Sequence, residues 1–183
     1  HALCRQLKQL CGEHSNQKSV VISCAGIGSR LGLGLTKALV QINGSSLISW
    51  QLKLFKDVED LRLVIGFQGS EIIEEVRKYR DDVIFCYNQR YFETKTGASY
   101  YLGARHANDY SLEWDGDLLV HPDDVKRILE TEGEFICYAE KSSDEAVWVQ
   151  TDEEGRVHAF SRERGDYEWT GPACLSKVNL TIS

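Results

Sequence analysis

Three groups of residues in this 183-residue chain have the types and spacing to do chemistry on a phosphorylated ligand. The first is Ala25-Gly26-Ile27-Gly28-Ser29-Arg30-Leu31-Gly32, a glycine-rich run after the apolar stretch Val20 to Cys24, with Lys37 just beyond it. Glycines let the backbone approach a phosphate, and successive amides can cradle it. An arginine fork can grip phosphate oxygens, while a lysine acts as a mobile point charge. The glycine spacing departs from both the dinucleotide fingerprint and the P-loop, so Arg30 and Lys37 carry more of the reading than Gly-x-Gly does. Two solvated cations on a surface turn is the competing interpretation. The second group is Asp115-Gly116-Asp117, after the strand-like Ser111 to Trp114. Carboxylates two residues apart on an extended segment point the same way. Hard oxygens at a strand end suit Mg²⁺, which takes one or two carboxylates plus substrate phosphates. Taken alone, an ordinary Asp-Gly turn is the competing interpretation of that segment. The third is Thr96-Gly97-Ala98-Ser99, at the start of a predicted helix, where free amides can meet a base or a phosphate. A helix start capped by Thr96 remains the simpler reading of that segment.

These groups need a scaffold, and the apolar periodicity supplies one. Val20 to Cys24, Leu61 to Phe67 and Val83 to Tyr87 read as strands. Between and after them come helices. One is capped by Ser45 or Ser46, with Leu47, Ile48, Leu52 and Phe55 on one face; a second is capped by Ser70, with Ile72, Ile73, Val76 and Tyr79. Gly97 to Asn108 reads as a third helix, and Pro122 opens a fourth at its tolerated first position. Alternating strand and helix builds a parallel sheet with helices on both faces. The last third differs: Phe135 to Ala139, Ala146 to Thr151, Arg156 to Ser161 and Thr170 to Leu175 are strand-like, with Asp152 to Gly155 as a turn. This part is expected to be antiparallel and to extend the same sheet. The expected organisation is an N-terminal extension or linker over 1–18, where Leu3, Leu7 and Leu10 suggest a short helix, and one α/β domain over 19–183.

Composition narrows the partners. A net charge of −7 argues against a general nucleic-acid binder. No apolar run is long enough to cross a bilayer and nothing at the start reads as a signal peptide, so the expectation is no membrane contact and a cytoplasmic location. The six cysteines show no metal spacing; Cys24, Cys86 and Cys137 lie in apolar runs and are expected to be buried hydrophobes.

Together these residues resemble the nucleotidyltransferase superfamily of sugar-1-phosphate nucleotidylyltransferases and phosphocholine cytidylyltransferases. The resemblance runs from Val20 through Leu31, then Lys37-Ala38-Leu39-Val40, Ile42-Asn43-Gly44 and Leu47-Ile48, and returns at Asp115-Gly116-Asp117 and Ser161-Arg162-Glu163-Arg164. It implies a Rossmann-like, GT-A-like three-layer sandwich whose mixed, mostly parallel sheet has an antiparallel C-terminal part. It also implies roles. Ala25, Gly26, Gly28 and Ser29 hold the nucleotide, with Gly97, Ala98 and Ser99 near the base and Gln68 lining that pocket. Arg30 and Lys37 act on the triphosphate. Asp117, with Asp115, holds Mg²⁺. Glu163, Arg164, Glu168 and Gly171 face the acceptor. Thr36 stands where the family has proline, and Arg164 where it has lysine. The family takes a second metal-binding aspartate from a later strand, so a C-terminally truncated domain, or fusion to another, is part of the expectation, as is a homo-oligomer.

The expected reaction transfers a nucleoside monophosphate from a nucleoside triphosphate, CTP favoured, to a small phosphorylated or phosphonate acceptor such as phosphocholine. The compact Gly32 to Leu35 loop leans that way, and Trp148, Tyr167 and Trp169 offer an aromatic wall for a cationic head group or, more simply, strand-pairing residues. A hexose-1-phosphate acceptor is the nearest alternative. A nucleotide-sugar glycosyltransferase and a non-catalytic nucleotide-binding regulatory domain are the readings from other classes.

Overall fold

Val20, Val21 and Ile22 fill β1 (Ser19–Ser23) and are buried on both faces, as a central parallel strand requires. The computed structural model describes residues 18–28, 34–140 and 146–180. In it β4 (Leu61–Ile65) and β6 (Tyr110–Asp115) run parallel to β1 on either side, and β5 (Ile84–Tyr87) runs parallel to β4. A separate small hairpin pairs β2 (Gln41–Ile42) with β3 (Ser45–Ser46).

The antiparallel part is added through one long strand. β10 (Tyr167–Ser176) pairs with β6, with Ala173 opposite Glu113 and Ser176 opposite Tyr110. β7 (Phe135–Ala139) and β8 (Trp148–Thr151) both pair with β10, and β9 (Val157–Ser161) pairs with β8. The result is one eight-stranded mixed sheet with the order β5-β4-β1-β6-β10-β8-β9 and β7 beside β10.

Helices cover both faces, so the three-layer α/β sandwich expected from the periodicity is the observed fold. On one face α1 (Leu47–Leu54), α2 (Gly69–Arg77) and α4 (Pro122–Glu130) cover Ile22, Leu63, Leu112 and Trp114 with Ile48, Leu52, Phe55, Ile72, Val76 and Val125. Phe55 meets Trp114 edge to face, 5.0 Å between centroids. On the other face α3 (Thr96–Ala104) lays Tyr100 and Ala104 over Val21 and Val64.

Local chemistry sets the helix ends. Ser46 caps α1 by accepting from Ser49 N at 3.3 Å, and Pro122 stands in the first turn of α4, as the sequence predicts. Ser70 does not cap α2: the helix starts at Gly69, after Gln68 in a left-handed conformation, and Ser70 Oγ donates to Glu71 instead. Because α2 stops at Arg77, Tyr79 leaves the apolar face and is 46% exposed. α3 starts at Thr96, with Lys95 rather than Thr96 in the cap position and no side-chain cap bond from it, and ends at Ala104 rather than Asn108. Its terminal carbonyls are taken from outside the helix. The buried Arg62 guanidinium donates to Gly103 O, Arg105 O and His106 O at 2.7–3.0 Å, while pairing with Asp60 at 2.9 Å.

Cys24 is buried, whereas Cys86 and Cys137, expected to be buried, are only partly so. The predicted helix around Leu3, Leu7 and Leu10 lies outside the described residues. No helix among the described residues is long and apolar enough to cross a membrane.

Candidate functional site

Beyond the carboxyl ends of β1 and β6 the sheet opens into a cleft of about 600 Å³. Ligands of open α/β sheets bind at this end of the strands. The cleft is lined by Ser23 to Gly26 and Gly28 after β1, by Thr36 to Ala38, by Tyr91, Thr94 to Thr96 and Ser99 around the start of α3, by Asp115 to Asp117 after β6, and by Arg162.

Close packing brings the two strand ends together. Gly116 N donates to Ser23 O at 3.0 Å. A β-carbon on Gly116 would stand 2.5 Å from that oxygen, so the acidic turn needs glycine at its centre. The turn is also held from the helical layer. Gln51, fully buried in the apolar stripe of α1, donates from Nε2 to Asp115 O at 2.9 Å and Leu118 O at 2.8 Å. Gln51 Oε1 is buried without a partner among the described residues.

Electrostatically the site gathers acid and sets Lys37 directly against it. Burial, then the like charge of Asp117, raises the Asp115 carboxyl above its ordinary range, and Lys37 opposes that rise. Lys37 Nζ donates to Asp117 Oδ2 as an ion pair. Burial, and then repulsion from Asp115, pushes Glu113 on β6 up to about 7. The Cys24 thiol, buried beneath both aspartates, is pushed up to about 12 and is no nucleophile.

The structure brings together Ala25, Gly26, Gly28, Lys37, Ser99, Asp115 and Asp117. Gly171 joins them from β10: its φ of +111° suits glycine, and a β-carbon there would meet Asp115 Oδ2 at 2.8 Å. Ser29 and Arg30 lie outside the described residues. Gln68 braces the glycine loop from behind: Oε1 accepts from Thr36 N at 2.8 Å, and Nε2 reaches Gly34 O at 3.5 Å. Gly97 and Ala98 sit in the first turn of α3 between lining residues without lining the cleft themselves. Glu163 and Arg164 are exposed in the β9–β10 turn, their amides donating to Ser161 Oγ at 3.1 and 3.4 Å. Glu168 pairs within the sheet, opposite Ala139 and Trp148. From that turn it is Arg162 that lines the cleft. The aromatic wall does not form there. Tyr167 stacks on Tyr138 at 4.6 Å, Trp169 meets Phe160 at 5.9 Å, and Trp148 pairs across to Ser161.

Sequence reasoning passed over Tyr91, Lys95 and Arg162. No spacing rule marks them, although the cations beside an expected phosphate site were a usable signal. It also passed over Gln51, where a polar residue inside an otherwise apolar helical stripe was the clue.

Comparison with known proteins fits this arrangement. The family model of the MobA-like NTP transferase domain matches residues 20–173. The bifunctional protein GlmU of Sulfurimonas denitrificans (strain ATCC 33889 / DSM 1251) is 26% identical over 125 residues, 67% of this chain. The chain spans 29% of that relative's length. The inositol-1-phosphate CTP transferase from T. maritima superimposes with a TM-score of 0.77 at 18% identity, over 91% of this chain and 74% of that one. The CTP:phosphocholine cytidylyltransferase from Streptococcus pneumoniae gives 0.65 at 21% identity, over 90% and 73%. At such identities the two structures establish the fold. The family match carries more, since it covers the glycine-rich loop, Lys37, the acidic turn and β10 as far as Ala173. On that ground the chain belongs to the MobA-like NTP transferase domain family, and so to the nucleotidyltransferase superfamily.

Proposed function

We propose that this chain transfers a nucleoside monophosphate from a triphosphate, CTP before the others, to a small phosphorylated or phosphonate acceptor such as phosphocholine. The observation that carries the reading is the convergence of the Ala25–Gly28 backbone, Lys37 and the Asp115–Asp117 turn in one cleft. The preference for CTP is supported by two structural neighbours whose names state CTP as their substrate.

In this reading an anionic oxygen of the acceptor attacks the α-phosphorus in line, the bond from that phosphorus to the bridging oxygen breaks, and pyrophosphate leaves. The nucleophile already carries its charge, so no strong general base is required. Rate comes from positioning and charge neutralisation. Backbone amides after β1 cradle the triphosphate, Lys37 meets the charge at the α-phosphate, and Arg30 is assigned to the outer phosphates. Arg162 stands on the acceptor side, where Glu163, Arg164, Glu168 and Gly171 were expected.

The acidic turn fits Mg²⁺. Among the described residues no cluster of three or more metal-ligating side chains occurs, which is too few for an all-protein cage. Two neighbouring carboxylates, one of them held up by burial and then by the other's charge, match an ion that keeps waters and takes substrate phosphates. Asp117 and Asp115 would hold it, and when bound it supplies positive charge to the triphosphate.

The test is pyrophosphate release, with the four nucleoside triphosphates crossed against phosphocholine, aminoethylphosphonate, inositol-1-phosphate and several hexose-1-phosphates, with Mg²⁺. CTP with a small phospho-alcohol is the expected productive pair. Release only with a hexose-1-phosphate would move the acceptor assignment, and silence from folded protein would sink the enzymatic reading.

A further inference from the structure

Asn88, just past β5, is 3% exposed and does not line the cleft, yet it organises the wall that does. Its backbone N–H donates to Ile65 O at 2.9 Å, which ties it to the end of β4. Its side-chain amide is oriented without ambiguity. Arg90 N lies 3.0 Å from one end, and a backbone N–H can only donate, so that end is Oδ1. The NH₂ end therefore faces Thr94 Oγ1 at 2.8 Å and Ser99 Oγ at 3.0 Å and donates to both.

Each hydroxyl accepts one hydrogen bond from Asn88 and has a single proton left to give. Thr94 gives its proton to Arg90 O at 2.9 Å. Ser99 Oγ meets no acceptor among the described residues, and Ser99 lines the cleft. Its proton is thus directed to whatever the cleft holds.

We propose that Asn88 is a positioning residue that fixes Ser99 as a hydrogen-bond donor toward an acceptor atom of the bound nucleoside, a base carbonyl oxygen or a ring nitrogen. This rests on the nucleotidyl-transfer reading above. The chain of polarity starts at a backbone amide, which cannot reverse, passes through the Asn88 side chain, and ends at the Ser99 hydroxyl.

Two substitutions test it. Asn88→Asp keeps the shape and the Arg90 contact but replaces the NH₂ with an acceptor, so the Ser99 proton turns inward. Ser99→Ala removes the donor directly. We expect each to weaken binding of CTP with Mg²⁺ about tenfold, the scale of one lost hydrogen bond at a buried site, and to raise KM for CTP while kcat changes less than about threefold. The double variant is expected to bind no more weakly than either single one, because one interaction is lost only once. A merely structural role for Asn88 would instead lower the melting temperature and add to the effect of Ser99→Ala. Additive losses, or unchanged CTP affinity in Ser99→Ala, would overturn the proposal, and the second result stands even if Asn88→Asp does not fold. Wild-type chain that binds none of the four triphosphates would overturn the functional reading itself. That result is distinct from a wild type that binds and a Ser99→Ala variant that binds equally well.

Discussion

Replacing Lys37 by alanine separates chemistry from stability, because its ion pair with Asp117 lies in the open cleft. The two side chains are 34% and 41% exposed, and pairs at that exposure contribute about 0–1 kcal/mol. For a chain of this size about 1 kcal/mol moves the melting temperature by roughly 2–4 °C, so the variant should melt within about 4 °C of wild type. On the proposed mechanism the catalytic loss is expected to be far larger. Taking one preorganised positive group from the site of charge development costs about 10²–10³ in kcat, as for other such donors. A third effect has the opposite sign. Lys37 is the cation that now occupies Asp117, and it also counters the rise of the Asp115 carboxyl. Without it, a divalent ion no longer competes with the Lys37 ammonium for Asp117, and Mn²⁺ binding in the absence of nucleotide should tighten by up to about fivefold, from the same 1 kcal/mol. The measurements are pyrophosphate release with the productive substrate pair, a thermal melt, and Mn²⁺ titration by electron paramagnetic resonance. Turnover within threefold of wild type would remove Lys37 from the chemistry. A melting temperature lower by more than about 10 °C would show instead that the ion pair supports the fold.

Arg62→Ala is expected to cost about 3–5 kcal/mol in a denaturant melt, since it removes the cation that faces buried Asp60, leaving that carboxylate Ser19 Oγ but no guanidinium, and uncaps the end of α3; a loss under 1 kcal/mol would contradict that account. Gln51→Leu releases the carbonyls of Asp115 and Leu118 but also removes the unpartnered Oε1, so turnover should fall about tenfold with a stability change under about 3 kcal/mol, and unchanged turnover would refute the bracing role. Glu113 gives a pH signature. The unfolded chain releases this proton near 4.5 while the folded chain holds it to about 7, so the folded state binds more protons in that window and stability falls as pH rises through it. In metal-free buffer Glu113→Gln should therefore match wild type at pH 4.5 and exceed it by up to about 3 kcal/mol at pH 8, at about 1.4 kcal/mol per pH unit; parallel stability curves would count against it.

The sheet was legible in the chain because its signals are local. β-branched runs mark β1 and β4, helical stripes mark α1 and α2, and Phe135–Ala139 falls where its composition puts it. The pieces of the cleft that were legible are those made by one short segment, namely the glycine loop with Lys37 and the Asp115–Asp117 turn. What the chain did not disclose depends on partners distant in sequence. Arg62 ends α3 from forty residues away, and no capping rule sees it. Gln68 follows a strand as a pocket residue would, but its amide turns to Thr36 and Gly34. Within the β9–β10 turn, whether Arg162 or Arg164 reaches the cleft is decided by how that turn folds onto Ser161, which residue type alone does not encode.

β10 links two halves that differ in how firmly they are joined. It meets β6 over four register positions but holds the β8–β9 hairpin through only two, Tyr167 opposite Val149 and Glu168 opposite Trp148. That hairpin leads into the turn bearing Arg162, whereas the loop after β1 and the acidic turn after β6 are set by the parallel ladder. Lengthening, retuning or exchanging the hairpin therefore puts few backbone bonds at risk and leaves the parallel ladder untouched. On the proposed reading, in which Arg162 stands on the acceptor side, such a joint would let a lineage diversify the acceptor while keeping the nucleotide, and it would mark β8–β9 as the segment to graft.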